Sequence, residues 1–453
     1  MKNIKSLLYI ILVFASATLV SCKKFLDVKP QNYVLDDVTV IDKASAETAT
    51  RGIYNAFTAS GYYGNDYQAI GYLSGDNTAF FGTVVYQSHF AQHNVRADNG
   101  MIQASWGAIY KAINRANHVI AKVPGVTDPK LTAALKNQLV GEAYFLRALA
   151  YFDLVRVWGG VQIYTTPTLD AKDKEGIARS TAADTYAQVL ADLIQAEALI
   201  PATLATNRVR ATQKTVWALR ARYHLYRGEW LDAEFYSSKL ITDANYGLIA
   251  PYNSWFANNV TNTRESIFEL TYATTSLSAH RGNWQPTQNG GTRSWGPNAT
   301  FIALVNNPAI GGNRNTIIAT TTSNPIVTYG NLYYRNPATD PAYVLRIAEQ
   351  YLIRAEARAQ IGTDLTGAAS DLNAVRTRAG LGTTPAVTAA DLLQAIEDER
   401  RLEFAFEPHR WFDLVRTGRA DDVFTGISAD KYILPIPVTE LQTDHSLVQN
   451  PSY

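Results

Sequence analysis

The sequence predicts a mostly α-helical protein, a stack of helical hairpins that carries a long irregular, loop-rich insert with short strands. Three observations support this. Apolar residues recur at helical spacing through most of the chain. That periodicity stops between Pro251 and Pro341, where Asn, Thr, Gly and Pro dominate. Glycine and proline also punctuate the periodic segments where helices would end. With 453 residues, 47% of them apolar, the chain can bury a substantial core. Lys and Arg total 41 against 40 acidic residues, and the leader holds Lys2 and Lys5, so the body is close to neutral. That argues against a nucleic-acid partner, whose phosphates demand a basic face.

Met1 to Ser21 (1–21) reads as a secretory signal peptide. Lys2 and Lys5 precede an apolar run from Leu7 to Leu19 that is too short to span a bilayer and has no stop-transfer pattern after it. Leu19-Val20-Ser21-Cys22 has the form of a bacterial lipobox, and Cys22 is the single cysteine of the chain. One cysteine cannot close an internal disulfide. The expected product is therefore lipidated at Cys22 and held on a Gram-negative membrane with its body in water. Residues 22–44 then form the lipidated N-terminal tether.

A first helix is expected from Ser45 to Ala59. Residues 61–100 read as irregular, with glycines and aromatics interleaved, a poor core and a plausible surface. Trp106, Ile109, Tyr110, Ile113, Ala116, Asn117 and Ile120 define the next helix, stopped by Pro124-Gly125. A longer stripe from Leu135 to Val157 is stopped by Gly159-Gly160; Val161 to Pro167 looks extended; and a helix from Asp184 to Ile200 is closed by Pro201. Gln213–Arg227 and Trp230–Asp243 form a pair around Gly228. In that pair Trp217, Ala221, Gly228, Trp230 and Ala233 fall at tetratricopeptide positions, while His224 and Leu240 depart from the pattern. A second pair runs from Val344 to Ala359 and from Ala368 to Val375. Such hairpins cannot bury their stripes alone, so they must stack. The helical scaffold is thus placed at about 45–60, 101–245 and 343–420, and the irregular parts at about 61–100 and 251–341. Tyr432 to Pro437 reads as an extended edge.

The densest charge lies in Glu399 to Gly418, ERRLEFAFEPHRWFDLVRTG. His409 and Asp413 are its only i,i+4 pair with ligand character, and no further His or Cys stands beside them, so neither a metal nor a catalytic site is expected. The run reads as a helix, a break before Pro408 and a short helix ending at Gly418, a joint whose charges fix how two helices meet. Its Phe412-Asp413-Leu414-Val415-Arg416 repeats Phe152-Asp153-Leu154-Val155-Arg156. Asp and Arg three apart on a helix suggest a surface pair worth a few tenths of a kcal/mol.

CKKFLDVKP after the lipobox, SWGAIYKAINRANHVI, GEAYFLRALAYFDLVRVWGGV, YLIRAEARAQIG, the joint itself, and YILPIPVTEL with the terminal NPSY occur in this order. Together they resemble the SusD/RagB family of outer-membrane nutrient-binding lipoproteins. The resemblance implies a single SusD-like domain over 45–453, built on four tetratricopeptide-like units. It implies a lipid-anchored, cell-surface protein of the outer membrane that caps a SusC-like TonB-dependent transporter, captures a glycan or in some members a peptide, and catalyses nothing. No cofactor is implied. Pro408 stands where many members have glycine, which a helix start tolerates.

Saccharides are held by aromatic faces and by carboxylates, amides and guanidiniums that bond hydroxyls. Two loop stretches offer that mixture, Tyr62 to Phe90 and Arg281 to Trp295. The expected contacts are Asp76, Asn77, Phe81, Tyr86, Trp284, Arg293 and Trp295, with Gln285 and Asn289 nearby; Asp76 follows Leu73, where the resemblance places a contacting acid. Trp106, Trp217, Trp230 and Trp411 sit on helical stripes or turns and are assigned to the core. Two other classes compete. A glycoside hydrolase needs two carboxylates flanking a cleft; the pairs Glu349/Glu356 and Glu399/Glu403 lie on helices and are better explained as partners of nearby arginines. A scaffold binding only protein does not account for the long aromatic insert.

Overall fold

Helix α1 (Lys43–Phe57) begins at a capping box: the Asp42 carboxylate accepts from the Ser45 N–H, and Ser45 Oγ accepts from the Asp42 N–H. The structure is a computed structural model that describes residues 39–453. The leader, Cys22 and the tether up to residue 38 lie outside the described residues. After α1 come the short α2 (Asp66–Leu73) and α3 (Val85–Ala91), then the long helices α4 (Gly100–Lys122), α5 (Ala133–Trp158), α6 (Ala182–Leu199), α7 (Gln213–Arg227) and α8 (Trp230–Ile241). The irregular segment holds only α9 (His280–Trp284) and α10 (Ala299–Asn306) as α-helices. The scaffold then resumes with α11 (Ile347–Ile361), α12 (Leu365–Arg378), α13 (Ala389–Glu403) and α14 (Arg410–Arg416).

Successive scaffold helices pack on one another: α1 on α4, α4 on α5, α5 on α6, α6 on α7, α7 on α8, α8 on α11, and α11 on both α12 and α13. The fold is the tetratricopeptide-like stack that the spacing predicts. Gly228 shows why its residue type matters, since it ends α7 in the left-handed conformation at φ +68°. The small Ala221 and Ala233 are fully buried with Ile353 and Ala357 of α11, so three helices approach closely. Trp106 and Trp411 are buried, as expected, whereas Trp217 and Trp230 are only half-buried. Among the described residues no helix is long and apolar enough to cross a membrane.

Strands β1 (Thr78–Phe80), β2 (Ser266–Leu270), β3 (Trp295–Pro297), β4 (Ile318–Thr320), β5 (Thr328–Gly330) and β6 (Ala342–Arg346) form three antiparallel pairs, β1–β3, β2–β6 and β4–β5. Every residue of β2 and β6 is buried, and β6 runs directly into α11. This pair pins most of the irregular segment, Leu270 to Ala342, onto the scaffold at its two ends. Among the described residues the stretch Val161 to Pro167 pairs with no strand; side chains hold it, with Tyr110 donating to the Gln162 carbonyl and Asn117 to the Tyr164 and Thr166 carbonyls.

Two sequence expectations need correction. The stretch that follows α1 is core: Tyr62, Tyr63 and Tyr67 are buried, and their hydroxyls all donate to the Asp153 carboxylate, at 2.7, 2.9 and 2.5 Å. A buried acceptor for the phenol lets the whole aromatic body enter the interior. The two repeated pentamers are likewise not surface pairs. Asp153–Arg156 and Asp413–Arg416 are both buried, and the pentamers face each other. The Arg156 guanidinium lies 4.6 Å from both the Phe152 and Phe412 ring centroids, and Tyr226 receives Arg156 and Arg416 at 5.5 Å each.

The charges of the joint are consumed structurally, as the sequence suggested. Four carboxylates, Glu265, Glu399, Glu403 and Glu407, meet four guanidiniums, Arg314, Arg346, Arg376 and Arg378. Glu265 and Arg314 come from the irregular segment, so this buried lattice stitches it to α12, α13 and the turn after α13. Glu349 pairs with Arg222 and Glu356 with Arg416. Burial alone would raise the Glu403 carboxyl, but Arg378, Arg314 and Arg346 outweigh it and hold it down at about 2. Glu407 has only Arg346 against its burial and moves upward instead. Burial, with Arg222 and Arg400 nearby, pushes His409 well below its usual range.

An acid dependence follows. A carboxyl held at about 2 against an ordinary 4.5 contributes stability that is fully present above pH 4.5 and lost as pH falls toward 2. For Glu403 this amounts to something on the order of 3 kcal/mol. Neutral His409 adds a loss in the same direction below 6.5. Asp66 and Asp340, raised by burial to about 6, act oppositely, because protonation relieves them before it relieves the unfolded chain. The melting temperature is therefore expected to fall steeply below pH 4.5. A melting temperature unchanged down to pH 3 would contradict the buried lattice.

Candidate ligand-binding site

Strand β1 pairs with β3 in the register Thr78↔Pro297 and Phe80↔Trp295, and the Phe81 and Gly82 N–H groups donate to the Ser294 carbonyl. This brings the two loop stretches singled out in the sequence together. It does not expose all their residues. Trp295 is 0% and Trp284 1% exposed. Trp284 packs on Phe406 at 4.5 Å and on Tyr72 at 5.1 Å, beneath Gly330, where a Cβ would come within 2.4 Å of its ring. These two tryptophans are core, not ligand faces, because the short strand and helix that carry them aim them inward. Asn77 is also buried: its Oδ1 accepts from Arg401 Nε at 2.8 Å and its Nδ2 donates to the Arg401 carbonyl at 2.9 Å. The Asp76 side chain, 16% exposed, is gripped by Arg410 at 2.7 Å and Arg401 at 3.0 Å. The expected contacting acid is thus a bracket between β1 and the joint.

Phe81 and Tyr86 stand outside, and Arg293 is half-buried beside Phe81. Phe81 is 47% and Tyr86 42% exposed. The Arg293 guanidinium lies 3.9 Å from the centroid of the Phe81 ring, and its Nε donates to the Thr328 carbonyl of β5 at 2.9 Å. Beside this platform is a cleft of about 500 Å³ lined by Tyr329, Tyr334, Gln288, Asn289, Asn331 and Asn336, with Arg281 and Gln285. Gln285 organises the floor, donating to the Gly330 and Tyr333 carbonyls and accepting from Asn289 Nδ2. Asn289 Nδ2 also reaches the Tyr329 hydroxyl at 3.2 Å. Aromatic faces, amides and a guanidinium converge on open space, the combination suited to a polyhydroxylated ligand. The cleft lining holds no carboxylate, and a glycosidase mechanism requires two.

Tyr329, Tyr334, Asn331 and Asn336 belong to the irregular insert but are not among the contacts expected from the sequence. They share the mixture of aromatic and amide residues found in the two stretches, but nothing local separates half-buried Tyr334 from Tyr333, which is buried and stacked on His280. A second aromatic cleft, about 360 Å³ beside Trp106, Tyr110 and Tyr164, is less suited. The Tyr110 hydroxyl and the Asn117 and Gln162 amides that line it already donate to the protein itself.

Among the described residues one set of potential metal ligands converges, His224, Glu229 and Asp232. It lies at the Gly228 turn, where the His224 Nδ1 to Glu229 contact of 2.6 Å already closes the hairpin.

A family model described as "Starch-binding associating with outer membrane" matches residues 24–225, and the model of the SusD family matches residues 279–429. "SusD-like protein P38" of Formosa agariphila is 25% identical over the full length of both chains. A SusD superfamily protein of Bacteroides vulgatus superposes with a TM-score of 0.80 at 20% identity, covering 91% of this chain and 99% of that one. A structure titled "Laminarin binding SusD-like protein" gives 0.78 at 23% identity, covering 91% and 100%.

Proposed function

The chain belongs to the SusD/RagB family, and from that premise we propose that it binds an oligosaccharide or polysaccharide on the face formed by Phe81, Arg293, Tyr329 and Tyr334. The observation that carries this reading is a cleft of half-buried tyrosine rings and amides on irregular loops, with the exposed Phe81 ring under Arg293 beside it. In the proposal the protein is a surface lid for a SusC-like TonB-dependent transporter. Lipid at Cys22 would anchor it to the outer membrane, and the described body, with no apolar spanning helix, is compatible with that role. The lid would deliver glycan for import and would not cleave it. Asp76, Asn77, Trp284 and Trp295 support the face from beneath.

Isothermal titration against a glycan panel tests the assignment. Phe81→Ala and Tyr329→Ala are each expected to weaken the best ligand by about tenfold or more, as loss of a central aromatic contact does, while thermal melting stays close to the parent. Unchanged affinity in both variants would move the site elsewhere. Co-purification of a barrel protein from outer-membrane extracts tests the lid role separately.

A further inference from the structure

Resting on that glycan-binding reading, we infer that the ligand is anionic, a uronate- or sulfate-bearing oligosaccharide and not a neutral one. The chain as a whole is balanced, with 41 basic against 40 acidic residues, but the face is not. Arg281 lines the cleft and Arg293 stands beside it on Phe81, and neither has an ion-pair partner among the described residues. Asp76 is held by Arg401 and Arg410 and Asp340 by Arg335, while half-buried Asp66 accepts from Asn65 and pairs with neither Arg281 nor Arg293.

The two guanidiniums belong to one closed loop, because the Thr292 N–H donates to the Gly282 carbonyl and the Arg293 N–H to the Gln285 carbonyl. Arg293 holds φ +46°, a left-handed conformation unfavourable for a side chain of its size. The loop tolerates that cost while aligning the guanidinium with the Phe81 ring. Among the described residues only its Nε finds an acceptor, and none stands at its two terminal amino groups. Arg281 donates to the Asn289 carbonyl through one terminal nitrogen, and its Nε is shielded from water with no acceptor. A planar fork of unpaired donors matches the oxygens of a carboxylate or a sulfate ester. A neutral sugar entering the same cleft would desolvate these cations further and return only hydroxyl contacts.

The test uses paired probes on the purified protein. One arm takes oligogalacturonate, oligomannuronate and oligoguluronate with their carboxyl-reduced counterparts; the second takes sulfated galactan oligosaccharides with their desulfated counterparts; the third takes neutral glucans. At least one acidic member is expected to bind tenfold or more tighter than its neutral partner, with a preference that shrinks as salt is raised. Arg281→Gln and Arg293→Gln should each reduce the preference and Arg293→Lys should restore part of it, with melting temperatures recorded to confirm folding. The first two arms separate carboxylate from sulfate recognition. Binding of neutral members as tightly as their acidic partners, or an acidic preference that survives both glutamine variants, overturns this inference and leaves glycan binding standing. Failure of every saccharide to bind overturns both.

Discussion

Alanine at Arg346 is expected to destabilise the protein by roughly 3–5 kcal/mol, the cost of stripping one partner from a buried ion pair. Arg346 is fully buried at the end of β6. It bonds Glu407 at 3.0 and 2.6 Å, Glu265 and the Glu403 carboxylate at 3.0 Å each, and the Glu403 carbonyl at 3.1 Å. Its guanidinium also lies 4.1 Å from the centroid of the Trp255 ring. Removing it leaves three carboxylates with less compensation in the interior, and Glu407 with no cation at all among those described. Because the loss is uncompensated charge more than packing, adding Glu407→Gln to Arg346→Ala should recover part of the stability. Chemical denaturation of the two single variants and the double variant reads this as a coupling between the sites. Strictly additive losses would show that the lattice acts through shape alone.

The second large effect is expected at Asp153. Asp153→Asn keeps the side chain's size but should cost about 3–5 kcal/mol, since it leaves Arg156 buried beside a neutral amide. The carboxylate accepts from four donors, Tyr62, Tyr63 and Tyr67 hydroxyls and Arg156 Nη2, the last at 2.5 Å. An amide has one accepting oxygen and would turn an NH2 group toward donors. The same tyrosines bring the chain into α2, which leads on to Asp76 and β1, so the variant should also blur the ligand face. Tyr67→Phe removes one hydroxyl and keeps the ion pair, and should cost about 1–2 kcal/mol. An unfolding midpoint for Asp153→Asn equal to that of the parent would refute the account of this cluster.

Much of the fold was legible in the sequence where the determinants are local. Gln213–Arg227 emerges with the predicted ends because an apolar stripe, its Thr212 cap and Gly228 all lie within a few residues of one another. The break before Pro408 and the stop at Gly418 are likewise written in nearby residue types. The acidic residues of the joint were rightly read as partners of arginines, although the sequence could not say that Arg314 and Arg346, from outside it, would be among them.

The site was legible only as a region. Phe81 and Tyr86 are exposed and Arg293 is half-buried, while Trp284, Trp295 and Asn77, of the same chemical qualities, are buried. Tyr62, Tyr63 and Tyr67 turned inward because Asp153, on another helix, supplies an acceptor. Asn77 turned inward because Arg401, 324 positions away, meets both ends of its amide. By itself, then, the sequence determined the long scaffold helices, their turns, the hairpin stack and the family, but not the short helices α2, α3, α9 and α10 within the stretches that read as irregular. The tertiary structure alone decided which aromatic and polar side chains of the loops face outward. Helical periodicity is set by hydrogen bonds between residues four apart, whereas a loop side chain's direction is set by partners that only folding brings within reach.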